Sequence, residues 1–131
     1  ALEPMDRTLG SDHPTTLLNM RTLGHMYWST KRLDKSIPLY ETLLQRQEEK
    51  HGREAPATLV TITDLGVNYR DAGRIREALP LLKEAYDAGE KHARPEWAES
   101  ALLECYAKAG MKEAEGALVH DLEETYQSTN E

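Results

Sequence analysis

The residues that could act as nucleophile, base or metal ligand are few and scattered. Cys105 is the only cysteine. It stands next to Tyr106 with no neighbouring feature that would lower a thiol pKa, so it reads as a packed side chain and not a reactive one. The histidines at 13, 25, 51, 92 and 120 show no HxxxH or HxxEH spacing; such spacing would bring two imidazoles onto one helix face for a metal. The Asp and Glu residues fall as solvated faces and helix charge partners, not as an acid/base pair. No glycine-rich phosphate loop is present. The chain is therefore expected to be no enzyme and to hold no cofactor and no metal. Recognition is the chemistry left, and it points to Trp28 and Trp97, because tryptophan and arginine are the side chains most often found at binding hot spots.

Composition narrows the partners. The 131 residues suit one domain with a real core, and a formal charge of -7 offers no basic surface for phosphates. Nucleic acid and an anionic membrane surface are thus unexpected partners. One cysteine cannot form an internal disulfide, which fits a reducing, cytoplasmic setting. Apolar runs are only a few residues long, and neither a membrane span nor a signal peptide is visible.

The elements that must position the two tryptophans come from an internal repeat. "GHMYWSTKRLDKSIPLY" at residues 24–40 and "GVNYRDAGRIREALPLL" at 66–82 share Gly24/Gly66, Tyr27/Tyr69, Arg32/Arg74, Pro38/Pro80 and Leu39/Leu81 at an offset of 42. Leu17, Met20, Leu23 and Tyr27, and likewise Leu59, Ile62, Leu65 and Tyr69, recur at helical spacing. First helices are predicted at 15–29 and 57–71, each entered through proline and threonine, "HPTT" and "APAT". Polar turns follow, with Gly73 free to take the left-handed conformation. Second helices carry Leu33, Ser36, Ile37, Tyr40, Leu43 and Leu44, and Ile75, Ala78, Leu79, Leu82, Ala85 and Tyr86; turns this short make them antiparallel to the first. A degenerate third copy places Leu102, Tyr106 and Gly110 at an offset of 37 and continues through Ala114, Ala117, Leu118 and Leu122; its turn "AGMKEA" reads as one residue shorter than "AGRIREA". Residues 1–14 read as the end of a preceding repeat and its loop, 15–56 as repeat one, 57–94 as repeat two, and 95–131 as degenerate repeat three with a polar C-terminal cap, together a piece of a longer array.

Ile62, Leu65, Gly66, Tyr69, then Ala78, Leu82, Ala85 resemble the tetratricopeptide repeat (TPR), as do Met20, Leu23, Gly24, Tyr27, then Ser36, Tyr40, Leu43. The 42-residue period, longer than the usual ~34, makes the pattern similar to the kinesin-light-chain type. The resemblance implies an all-α, right-handed superhelix of stacked antiparallel helix pairs, about three repeats long, whose first helices line a concave groove. Arg21, His25 and Trp28, then Thr63, Asp64, Val67 and Arg70, then Trp97, Ser100 and Glu104 fall on that face. Two family ligands lack their residues. The asparagine position that holds cargo-peptide backbone carries Arg21, Thr63 and Ser100, and Asp64, Val67 and Trp97 occupy places where a carboxylate clamp needs Lys and Asn.

Two functions from different classes follow. One is a protein-protein interaction module presenting the groove to a peptide or protein partner. The other is a structural or regulatory scaffold segment of a larger signalling protein, self-associating through the N-terminal edge. At each tryptophan, ligand contact competes with packing: Trp28 beside Lys31 and Leu33, Trp97 in the space left by the shortened loop before it.

Overall fold

A computed structural model describes residues 13–88 and 96–130. The preceding-repeat segment at 1–12 and the loop at 89–95 lie outside the described residues. Six helices follow one another: α1 Pro14–Ser29, α2 Leu33–His51, α3 Pro56–Asp71, α4 Ile75–Ala88, α5 Glu96–Lys108 and α6 Lys112–Asn130. They pair as three hairpins, each stacked on the next, in an all-α solenoid.

Proline starts both α1 and α3, where its missing N–H leaves no helical bond unmade. The threonines of these two entries do not cap their helices. His13 caps α1 instead, its ring Nδ1 accepting from the Thr15 amide at 3.1 Å, and Thr16 and Thr58 are fully buried. Pro38 and Pro80 lie inside α2 and α4 near their starts, where little of the hydrogen-bond ladder is lost.

The three turns share one backbone design. In each, the amide two residues past the first helix's cap returns to the carbonyl of the repeat tyrosine: Arg32 to Tyr27 at 2.7 Å, Arg74 to Tyr69 at 2.8 Å, Met111 to Tyr106 at 2.9 Å. The amide before it bonds the next carbonyl along, Trp28, Arg70 or Ala107. This is the Schellman closure, and it needs a left-handed residue. Gly73 (φ 81°), Gly110 (φ 72°) and Lys31 (φ 63°) fill that place. The third turn is therefore as long as the second, contrary to the sequence expectation. In α6, Leu118 is buried while Val119 is 40% exposed.

Packing explains the repeat glycines. A β-carbon on Gly66 would lie 2.7 Å from Leu82 Cγ, and one on Gly24 would lie 3.0 Å from the Tyr40 ring. Both partners are almost fully buried and have little room to yield. Around these contacts run Met20, Leu43, Leu59, Ile62, Leu65, Leu82 and Leu102, all at most 3% exposed. Between hairpins, Ser36 donates to Asn68 Oδ1, Tyr69 donates to Glu41, Tyr86 donates to Asp121, and Arg53 forks onto Glu84 at 2.6 and 2.7 Å.

These contacts set expected stabilities. Gly66→Ala should cost about 1–3 kcal/mol by overpacking, and more than Gly24→Ala, whose added carbon meets its neighbour at the longer distance. Lys31→Gly should raise stability by about 1 kcal/mol, because it removes a side chain from a left-handed backbone. Denaturant unfolding of the three variants checks both, and a destabilised Lys31→Gly would contradict the second.

Candidate functional site

The first helices α1, α3 and α5 lie on one side of the stack and enclose a groove of about 600 Å³. Helical periodicity brings Arg21, His25 and Trp28 to it from α1, three and four residues apart. Asp64, Val67 and Arg70 enter from α3, and Trp97 and Ser100 from α5. Eight of the ten residues expected on this face therefore line one cavity. The other two do not. Thr63 is fully buried on the flank of α3, where its hydroxyl, cut off from water, donates back to the Leu59 carbonyl at 2.8 Å. Glu104 stands at the rim, half-exposed, and pairs with Arg70 at 2.8 Å and Lys108 at 3.6 Å.

Carboxylates of α3 tie both tryptophans. The Trp28 indole N–H donates to Asp71 Oδ2 at 2.7 Å, and the Trp97 indole bonds Asp64. Asp64 and Asp71 sit two turns apart on one face of the middle helix, so each indole is held by the neighbouring hairpin and not by its own. His25 lies 5.5 Å from Trp28, ring centre to ring centre. Trp97 keeps 41% of its surface exposed. Packing and access thus coexist at each ring: the polar edge is fixed and the apolar body lines the groove.

Charge is unevenly settled. Arg70 is enclosed by Asp71 at 3.0 Å and Glu104. Asp64 is mostly covered, with 19% of its side chain exposed, and meets Arg21 only at 3.9 Å. Burial pushes its carboxyl up to about 6, against the pull of Arg21, His25 and the Trp97 hydrogen bond.

Tyr40, Asn68, Thr22 and Ala101 also line the groove and were not expected there. Tyr40 comes from α2; it occupies the second-helix aromatic position and reaches past Gly24 into the cavity. Asn68 is buried, accepts from Ser36 and donates to the Asp64 carbonyl at 2.7 Å. Ser36 where the second repeat has Ala78 was the available hint of that bond. Cys105 is fully buried, and burial raises its thiol pKa, which opposes thiolate chemistry. Among the described residues no three His, Cys, Asp or Glu side chains converge as a metal site, and no helix is long and apolar enough to cross a membrane.

The raised carboxyl has a measurable consequence. The folded chain holds the Asp64 proton more tightly than the unfolded chain, whose carboxyl titrates near 3.8. That contribution to stability is complete below the unfolded pKa and is lost as pH rises through about 6. Asp64→Asn should match the parent chain near pH 4 and exceed it near pH 7.5 by about 2 kcal/mol. Urea titrations at the two pH values decide this, and an equal difference at both would contradict it.

The family model of the tetratricopeptide repeat matches residues 15–91. Among solved structures, the chain is similar to a Podosopora anserina protein assigned as a kinesin light chain with nearly identical TPR-like repeats (TM-score 0.81) and to a single-substitution variant of it (TM-score 0.82). Each comparison gives 22% identity over 98% of this chain and 63% of the other, so the chain spans under two thirds of those proteins' length. A search of curated proteins found no match. With the repeat glycines, tyrosines and turns in place and more than half its length matched, the chain belongs to the tetratricopeptide repeat family.

Proposed function

We propose that the groove between α1, α3 and α5 receives an extended peptide segment of a partner protein. Tetratricopeptide repeats serve as non-catalytic protein-protein interaction or scaffold modules, and their stacked hairpins make long concave surfaces. The observation that carries the finer reading is the pair of tryptophans. Trp28 and Trp97 come from the first and third hairpins and line one cavity, each with its indole N–H already bonded to α3. An aromatic wall whose polar edge is satisfied offers apolar area at little entropic cost to a ligand. Arg21, His25 and Ser100 add polar contacts of the kind that fix an extended backbone, and Val67 adds apolar area. A reducing, cytoplasmic location is part of this proposal and rests on the lone cysteine.

A second reading, self-association as a scaffold segment, has its own support. Val119, Leu122 and Tyr126 of α6, with Leu103 of α5, line an outward-facing apolar hollow on the last hairpin, and Tyr126 is 70% exposed. This lies at the opposite end of the stack from the edge suggested by the sequence.

Selection of short random peptides on the immobilised chain tests the groove. Enriched peptides should lose binding to a variant with Arg21, Trp28 and Trp97 all changed to Ala, while Tyr126→Ser leaves it intact. Retained binding by the triple variant would remove the groove assignment. Sedimentation of the free chain over a wide concentration range tests the second reading, which requires mass to rise with concentration and Tyr126→Ser to reverse the rise.

A further inference from the structure

We propose that the groove accepts a basic side chain, arginine or lysine, of the bound peptide, with Asp64 as its counter-charge and Trp28, Trp97 and Tyr40 as its walls. The inference rests on the groove reading above and names what the groove selects. Among the described residues, Asp64 is the one carboxylate lining the cavity. The groups facing it are Arg21 and His25 from α1, Tyr40 from α2 and the Trp97 indole from α5. Together they do not offset its burial, since the carboxyl still stands at about 6. Arg21 is the movable member. Its side chain is 47% exposed, and its contact with Asp64 is at the outer limit of an ion pair. Arg70 is committed to Asp71 and Glu104.

A cation entering here meets an under-compensated carboxylate and aromatic rings whose quadrupoles favour positive charge. A guanidinium gains most, because its plane stacks on an indole while its fork meets a carboxylate. A carboxylate entering the same space would be desolvated beside Asp64 and find Arg70 already paired. The formal charge of -7 acts in the same direction at long range, drawing basic segments in and repelling both acidic peptides and a second copy of this chain.

The sequence contains two tryptophans, so the two indole N–H signals in a nitrogen-15 spectrum report on this cavity alone. The probes are capped Gly-X-Gly tripeptides in which X is arginine, lysine, citrulline or glutamate. The arginine and lysine peptides should move both signals to saturation. Arginine should bind about 3- to 30-fold more tightly than its neutral isostere citrulline. Asp64→Asn keeps an acceptor for the Trp97 indole and should bring arginine down to the citrulline level. In the unaltered chain, arginine binding should weaken from pH 7.5 to pH 5 while citrulline binding stays constant. Equal affinity for arginine and citrulline overturns the inference. So does tighter binding of glutamate, or movement of the signals with protein concentration alone. Selected peptides that require Trp28 and Trp97 yet contain no basic residue overturn it and leave the groove reading standing, whereas a selection that yields no peptide overturns both.

Discussion

The architecture depends on the absence of a side chain at Gly66. Leu82 occupies the space a β-carbon would take, so α3 and α4 approach more closely than any residue with a side chain allows. That approach fixes how the two helices cross, because interaxial distance and angle follow from what stands at the contact. Hairpin geometry in turn fixes the step from one repeat to the next. The groove is a product of that step, since it exists only where three first helices are brought alongside one another. Gly24 against Tyr40 repeats the arrangement with a ring in place of a leucine, and the larger partner explains why Tyr40 reaches through to line the cavity.

On this scaffold one set of polar side chains connects each hairpin to the next. Trp28 to Asp71, Trp97 to Asp64, Arg70 to Glu104, Ser36 to Asn68 and Tyr69 to Glu41 each cross from one hairpin to its neighbour. Several of these bonds converge on α3, which is buried along most of its length. Asp64 is the exception in energetic terms. A neutral acceptor would hold the Trp97 indole equally well, yet the position carries a group whose ionised form burial disfavours. Structural need alone does not call for that charge.

The fold was legible in the sequence because its determinants are local and repeated. Glycine at the closest approach, tyrosine ahead of the turn and proline at the helix start all recur at one spacing, and the first helices begin within one residue of where that pattern puts them. Lys31 was harder to read, since the left-handed turn it adopts is glycine's and only alignment with Gly73 and Gly110 reveals it. The groove was legible to the extent that the family resemblance named its face and helical phase the members of that face, Arg21, His25, Trp28, Asp64, Val67 and Arg70 among them. Thr63 failed because the phase angle of one residue does not say how far a neighbouring helix overlaps its flank. Asn68 and Tyr40 were missed for the converse reason: their place in the cavity depends on contacts between hairpins, which carry no signature at a fixed sequence spacing.

The third hairpin shows what happens when the determinants weaken. Leu103 stands where Gly66 allows close approach, and Glu99 where Ile62 fills the core. α5 accordingly packs more on α4 than on its own partner α6, through Ala98, Ala101, Leu102 and Cys105. The groove's far wall is therefore held by the second hairpin, through Leu102 and the bonds from Asp64 and Arg70, and only loosely by the helix that follows it. A wall anchored on one side moves at lower free energy than one anchored on both. The Trp97 side of the groove is thus the less firmly anchored wall, and the Trp28 side stands on a hairpin that keeps its glycine.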